Sequence, residues 1–158
     1  MILSERIPNI PDELKKINQW VGWRYAQNKD GKKTKIPIDA RTGRKASSTD
    51  PNTWSDLSTV LASTYRFDGI AIVLTKDLGI VGIDLDNCLD DAGQLSEFAT
   101  KIVKRMNGYT EISPSGRGLK IFVRGNLPGR GRKKPEHGFE IYDNARVMTI
   151  TGNRYDLS

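Results

Sequence analysis

The sequence has one cysteine, one histidine and no long hydrophobic run. A single cysteine, Cys88, excludes an internal disulfide framework and a zinc–thiolate cluster. We expect it to be a small buried apolar residue. No apolar stretch approaches the ~20 residues that a membrane helix requires. Residues 1–6 lack the basic and then apolar layout of a secretory signal peptide. These absences predict a cytoplasmic protein that makes no membrane contact.

Length and charge indicate the size of the fold and the kind of partner. The 158 residues suffice for one domain with a substantial core, so we expect a single domain over residues 1–158. The net charge of +6 favours a polyanion such as nucleic acid or nucleotide phosphates. Two basic segments could contact a nucleic-acid backbone, and either could instead be a solvated loop. Their basic residues are Arg44 and Lys45 in the first, and Arg130, Arg132, Lys133 and Lys134 in the second.

Hydrophobic periodicity predicts an α+β fold. Helices are predicted at 11–17, 54–65 and 97–106. Asn52 or Thr53 is expected to cap the second helix, and Ser96 the third. Strands are predicted at 19–25, 36–38, 70–74, 80–86, 109–113, 119–124, 139–142 and 146–151, with a loop at 125–138. Strands 70–74 and 80–86 are expected to form a central hairpin, and the last two strands another. The pattern favours a mixed or antiparallel central sheet flanked by helices.

The strand at 80–86 ends in two carboxylates, Asp84 and Asp86. Side chains alternate along a strand, so both point to the same face, with Cα atoms roughly 6.6 Å apart. Such a pair is typical of a site for Mg²⁺ or Mn²⁺ in phosphoryl chemistry, of a Ca²⁺ site, or of a strand end entering a polar turn. The pair alone does not decide among these alternatives.

Two further strands could add charged side chains to this face. If the strands lie side by side, Glu140 and Lys120 join Asp84 and Asp86, and a divalent cation relieves the repulsion among the acids. Two such ions would suit nucleotidyl transfer. The loop before Lys120 could hold a triphosphate through backbone N–H groups and side-chain donors, or it could be a plain turn between strands. The candidate phosphate-binding residues are Ser113, Ser115, Gly116, Arg117, Gly118 and Lys120.

Five segments of the chain, in order, resemble a known family. They are Asn-Gln-Trp-Val at 18–21, Lys-Ala-Ser-Ser-Thr-Asp-Pro-Asn-Thr-Trp at 45–54, Gly-Ile-Asp-Leu-Asp-Asn-Cys at 82–88, the stretch 109–119 around Ser-Pro-Ser-Gly-Arg-Gly, and 140–152. Together they are similar to the primase–polymerase domain of phage and plasmid replication proteins, in the archaeo-eukaryotic primase superfamily. The resemblance spans about residues 11–153.

The resemblance implies a primase-like catalytic core with an RRM-like half, working with Mg²⁺ or Mn²⁺ on a DNA template or primer and nucleoside triphosphates. It implies Asp84, Asp86 and Glu140 as metal-binding and catalytic acids, and the loop from Ser113 as the nucleotide site. Such domains often accompany a helicase, so the chain is expected to be an isolated module or part of a longer replication protein of a mobile element.

The sequence departs from this family at Lys120, where a histidine that contacts the nucleotide phosphates would be typical. Lysine can neutralise phosphate, but as a point charge with no neutral form near pH 7. The sequence therefore leaves three functions open: DNA primase and polymerase, a weakened module that binds DNA or nucleotides for a partner, and a metal-dependent nuclease.

Overall fold

A computed structural model describes residues 3–157. Within this range the chain divides into two compact units. One comprises residues 11–73 and 147–150, and the other comprises the remaining described residues. The helices are α1 (Leu3–Arg6), α2 (Asp12–Lys15), α3 (Leu57–Leu61) and α4 (Glu97–Met106). The strands are β1 (Trp20–Gln27), β2 (Lys33–Ile38), β3 (Gly69–Leu74), β4 (Ile80–Leu85), β5 (Tyr109–Ile112), β6 (Leu119–Arg124), β7 (Arg132–Lys134), β8 (Phe139–Tyr142) and β9 (Arg146–Ile150).

The strands form two sheets, which confirms the α+β class but not the expectation of one central sheet. A four-stranded sheet has the order β2-β1-β3-β9, and a five-stranded sheet has the order β5-β6-β4-β8-β7. Every neighbouring pair in the five-stranded sheet is antiparallel. No helix among residues 3–157 is long and apolar enough to cross a membrane.

The two predicted hairpins are wrong, because each pair of strands is split between the sheets. Strand β3 lies in the four-stranded sheet and β4 in the five-stranded one. Strand β8 likewise belongs to the five-stranded sheet, whereas β9 lies beside β3. The chain passes twice from one sheet to the other at points where short polar turns suggested a reversal.

Two segments differ most from the sequence prediction. The helix expected at 54–65 is only α3, followed by a 3₁₀ turn at Thr64–Arg66. It starts late because Ser55 exchanges two backbone hydrogen bonds with Trp20, at 2.8 and 2.9 Å, which keeps this segment extended. Asp56 is the cap, accepting a hydrogen bond from the Thr59 N–H at 2.8 Å. The predicted loop 125–138 contains strand β7, which pairs with β8.

The five-stranded sheet packs its apolar face against α4. Ser96 caps this helix as predicted, accepting a hydrogen bond from the Ala99 N–H at 3.2 Å. The helix ends at Asn107, which adopts a left-handed conformation. The core beneath it includes Val81, Ile83, Leu85, Cys88, Ala99, Val103, Leu119 and Ile121. Since side chains alternate along a strand, this packing leaves Asp84 and Lys120 on the opposite face of the sheet.

The four-stranded sheet has its own core. Its buried cluster comprises Val21, Trp23, Ala46, Trp54, Ala71 and Val73, with Val147 of β9 packed against it. Strand β2 lies at the edge of this sheet. Pro37 has no N–H to donate, and an edge strand tolerates this residue where a central strand would not. Beyond this core, β1 and β2 continue as a hairpin whose residues are mostly exposed.

Candidate metal centre

A row of five charged side chains crosses the middle of the five-stranded sheet. Asp84 on β4 lies directly opposite Lys120 on β6 and Glu140 on β8. Lys120 in turn faces Glu111 on β5, and Glu140 faces Lys133 on β7. Residues in register on neighbouring strands point to the same face of a sheet. The row is therefore fixed by strand register.

Three carboxylates converge in this region. One oxygen from each of Asp84, Asp86 and Glu140 lies within 4.8 Å of the others. Asp84 and Glu140 are half-buried, whereas Asp86 is exposed. Asp86 directly follows β4, where its N–H donates to the Gly138 carbonyl at 2.9 Å and so links the end of β4 to the start of β8. The cluster therefore opens to solvent at Asp86.

The cluster suits a divalent cation. Oxygens bound on opposite sides of Mg²⁺ are about 4.2 Å apart. A spacing of up to 4.8 Å is wider than that by about half an ångström. Asp84 Oδ1 is buried and has no hydrogen-bond partner among the described residues. An unpartnered buried carboxylate oxygen is costly, and a bound cation would satisfy it. Carboxylates are the ligands that Mg²⁺ and Mn²⁺ prefer.

Three protein cations already contact the acids. Lys120 Nζ lies 3.1 Å from Asp84 Oδ2, in a pair whose side chains are 12% and 15% exposed. Lys133 Nζ and Arg146 Nη2 each lie 3.3 Å from Glu140 Oε1. Tyr142 also donates its hydroxyl to this oxygen, at 2.7 Å. The acids are thus partly neutralised by the protein itself, and a metal would share or displace these contacts.

The pKa of Glu140 reflects these neighbours. Its partial burial alone would raise the pKa, but the hydrogen bonds from Tyr142 and Lys133 and the charge of Arg146 outweigh burial and lower it. The pKa of Lys133 is raised by its hydrogen bond and charge contact with Glu140. Both shifts favour the ionised forms, so Glu140 is a carboxylate when it meets a cation.

The loop between β5 and β6 is held together by its own serines. Ser113 Oγ accepts a hydrogen bond from the Gly118 N–H and Ser115 Oγ one from the Arg117 N–H, both at 3.2 Å. The Gly116 N–H donates to the Ser113 carbonyl at 2.9 Å. A phosphate that bound these N–H groups would replace hydrogen bonds inside the loop. Ser115 and Arg117 are exposed, whereas Ser113 is half-buried.

Gly118 has a packing role beyond any role in binding. A Cβ at this position would lie 2.6 Å from the Leu85 carbonyl oxygen and 3.0 Å from Ser113 Oγ. Only glycine therefore lets the loop approach the end of β4, where Asp86 follows. Arg117 forms an ion pair with Asp91 at 2.5 Å, on the outside of the loop. This close packing places the loop next to Asp86.

The predicted nucleic-acid contacts are in different settings. Arg44 and Lys45 are exposed in a loop of the unit that contains residues 11–73. Arg130, Arg132 and Lys134 are exposed around β7 in the other unit. Lys133 differs from them because it points at Glu140. Lys133 therefore belongs to the row of charged side chains. The run of basic residues around it did not predict this position.

Sequence reasoning missed three side chains at this site. Strand alternation places Tyr142 on the same face as Glu140, two residues away, but nothing in the sequence assigned it a role there. Arg146 contacts both Glu140 and the Tyr142 ring, with its guanidinium 4.2 Å from the ring centroid. No local pattern marks it. Glu111, at the end of the row, is fully buried, and a lone acid in an apolar strand was its only signal.

The fold and the cluster define an α+β protein with three carboxylates of the kind that holds a divalent cation. The chain is similar to the DNA primase-polymerase of Nitratiruptor phage NrS-1, with 41% identity over 150 residues. The match covers 90% of this chain and 20% of the phage protein. No family model matches the chain.

Proposed function

We propose that this chain is the nucleotidyl-transfer module of a DNA primase-polymerase of the archaeo-eukaryotic primase superfamily, acting in the replication of a phage or another mobile element. The observation that carries the proposal is the convergence of Asp84, Asp86 and Glu140 within 4.8 Å. The similarity to the phage enzyme includes the part of the chain that contains these acids. Because the match covers a fifth of that enzyme, its activity is inferred here for the matched segment alone.

In this proposal the carboxylates hold Mg²⁺ or Mn²⁺. When bound, two such ions lower the pKa of the attacking 3′-hydroxyl and neutralise the triphosphate leaving group. Asp84, Asp86 and Glu140 would hold these ions, since each offers one oxygen to the cluster. Tyr142 and Arg146 orient Glu140 by holding Oε1. The partners are a primed DNA template and nucleoside triphosphates.

The loop residues hold the nucleotide phosphates. Ser113, Ser115 and Arg117 supply side-chain donors, while Gly116 and Gly118 supply N–H groups once these leave their partners in the loop. Lys120 is shared between the two parts of the site. Its ammonium group lies on Asp84 and would be free to turn toward a phosphate if a bound cation neutralised that acid.

A second function is favoured by the same ion pair. Lys120 is only 12% exposed and contacts Asp84 at 3.1 Å. If it stays there, it occupies part of the space a metal needs, and the chain is a module that binds DNA or nucleotides for a partner. In that case a Lys120→His variant, which removes the fixed charge, gains extension activity that the unaltered chain lacks.

The test is incubation of a labelled primer–template with Mn²⁺, with and without nucleoside triphosphates. We expect the primer to lengthen only when nucleotides are present. The Asp84→Ala/Asp86→Ala variant should be at least about tenfold slower, because charge neutralisation at the phosphates depends on the metals. Shortening of the primer would indicate a nuclease, and an unchanged primer the binding module.

A matched control removes the same charge elsewhere in the same unit. Asp77 and Glu136 are exposed and lie outside the cluster. Their double alanine variant should extend primers like the unaltered protein. Extension at the normal rate by the Asp84→Ala/Asp86→Ala variant would end the catalytic assignment.

A further inference from the structure

A hairpin outside the candidate metal centre concentrates positive charge. Residues 24–35, here termed the basic hairpin, comprise the ends of β1 and β2 and the turn between them. They contain five basic residues and one acid, a net charge of +4 in a chain whose net charge is +6. The basic residues are Arg24, Lys29, Lys32, Lys33 and Lys35. The hairpin lies between the two matching segments at 18–21 and 45–54, and the proposed reaction assigns it no role.

The charges of the basic hairpin are open to solvent. Arg24, Lys29, Lys32 and Lys33 are all exposed. None of these four forms an ion pair with another residue in the described range 3–157. Uncompensated like charges on a short hairpin repel one another, so the segment carries an electrostatic cost that a polyanion would remove.

An aromatic ring lies among these charges. Tyr25 lies opposite Lys35 in the strand register. Lys33 lies opposite Gln27, which is the next residue of β1 on the same face as Tyr25. All three side chains therefore share one face. Lys33 Nζ lies 3.8 Å from the centroid of the Tyr25 ring, which is 37% exposed. Trp23 supports the ring from the core side, with centroids 4.9 Å apart and planes at 82°.

The hairpin is a preorganised surface. Its turn is closed by the Asn28 N–H, which donates to the Lys32 carbonyl at 2.8 Å. Asn28 Oδ1 accepts from the N–H groups of Asp30 and Lys32 at 3.0 and 2.9 Å. Gly31 has φ +75°, a conformation that other residues adopt with strain. Little further ordering is required for a ligand to bind.

We infer that the basic hairpin binds single-stranded DNA, with Lys32 and Lys33 on the phosphates and the Tyr25 ring stacked on a base. Lys33 leaves the ring for a phosphate in this complex, which frees the ring face for the base. Exposed aromatic rings beside lysines are typical of surfaces that bind single strands, because only an unstacked base offers its face to a flat ring. A membrane is disfavoured, since the turn residues Asn28–Gly31 present no apolar side chain for insertion. The inference rests on the proposed function for its choice of partner, and on the hairpin for the contact.

The test is fluorescence anisotropy with a labelled oligo-dT, without metal or nucleotides, over a range of salt concentrations. In Lys32→Gln/Lys33→Gln, we expect affinity at 0.1 M salt to fall about 20-fold. The slope of log K against log salt should become shallower by about 1.4, since each phosphate contact contributes roughly 0.7. Tyr25→Leu should weaken binding roughly fivefold or more, with an unchanged slope.

The matched control neutralises two exposed lysines on α4, Lys101 and Lys104. This variant has the same net charge as the hairpin variant and should bind oligo-dT within about twofold of the unaltered protein. Equal binding by the hairpin and α4 variants would overturn the assignment. So would a Tyr25→Leu variant that binds normally, or tighter binding to duplex than to the single strand.

This experiment separates the hairpin from the catalytic proposal. A hairpin variant that binds DNA normally, in a protein whose primer extension depends on Asp84 and Asp86, removes the hairpin assignment alone. A protein that extends no primer, yet loses oligo-dT affinity in the hairpin variant, removes the proposed catalysis and keeps the hairpin site.

Discussion

Lys120 and Lys33 both lie on β-strands, but their ammonium groups are in opposite surroundings. Lys120, on the five-stranded sheet, is 12% exposed and lies 3.1 Å from Asp84. Lys33, on the four-stranded sheet, is exposed, has no ion pair among the described residues, and covers the Tyr25 ring. One charge is committed inside the protein, whereas the other is available to an outside partner.

The same contrast holds for the two regions as a whole. The charge row of the five-stranded sheet, from Glu111 to Lys133, alternates in sign except where Asp84 meets Glu140. That single like-charged contact is where a cation fits. The basic hairpin has almost one sign throughout. Structure and ion binding should therefore depend on the row, and DNA affinity on the hairpin.

The largest effect is expected at the buried end of the row. Glu111 accepts hydrogen bonds from the Thr151 and Gly152 N–H groups at 2.7 and 2.9 Å, and from the Tyr109 hydroxyl at 2.8 Å. Glu111→Leu leaves these three donors without their acceptor, at about 1–3 kcal/mol each. We expect the free energy of unfolding in urea to fall by at least about 3 kcal/mol, the lower end of the sum over the three donors. Glu136→Leu, at an exposed site, should stay within about 0.5 kcal/mol.

The pH dependence at Glu111 has a definite sign. Burial raises its pKa above the usual value, against the lowering effect of its hydrogen bonds. The folded protein then binds this proton more tightly than the unfolded chain, so stability falls as pH rises above about 4.3 and through the folded pKa. A Glu111→Gln variant lacks this loss, and any stability deficit it has should narrow as pH rises. A widening deficit would contradict the raised pKa.

The arrangement of the acids followed in part from the sequence. Alternation along a strand is a local property, so it placed Asp84 with Asp86 on one face and put Lys120 and Glu140 on the corresponding faces of their strands. Helix α4 could also be predicted from local signals. Ser96 caps it, and its apolar residues repeat with the helical period.

The choice of neighbouring strands could not be predicted locally. The turn between β3 and β4 has a left-handed Gly79, as a hairpin turn would, yet the strands belong to different sheets. The position of Arg146 also depends on contacts between residues that are distant in the sequence. The turn before it is held by buried Asp143, which binds Lys76 Nζ at 2.8 Å and the Leu127 N–H at 2.9 Å. Contacts 67 and 16 residues distant leave no periodic signal.

A direct comparison applies one chemical change to both regions. Lys120→Gln leaves Asp84 without its counter-charge beside two other carboxylates, so we expect about 1–3 kcal/mol lower stability in metal-free buffer. Lys33→Gln should change stability by less than about 0.5 kcal/mol. Thermal or urea unfolding measures both. Equal losses would remove the distinction between the committed and the available lysine.

Metal should reverse the first of these losses. A cation that binds the folded protein stabilises it, and without Lys120 it takes over the neutralisation of Asp84. Added Mn²⁺ should therefore raise the unfolding midpoint of Lys120→Gln by more than that of the unaltered protein. An equal rise in both proteins would show that Lys120 and the ion do not compete.

The smallest effect is expected at Lys133, where the row meets solvent. Its side chain is 59% exposed and its Nζ lies 3.3 Å from Glu140 Oε1. Exposed ion pairs are weak, so Lys133→Met should tighten Mn²⁺ binding only about two- to fivefold, measured by calorimetric titration. Lys134→Met, next along β7, removes the same charge without that contact and should leave the affinity nearly unchanged. Weaker binding in Lys133→Met would mean that this lysine positions Glu140 for the ion. The row would then be a rigid metal site rather than one in which protein and metal cations compete for the same acids.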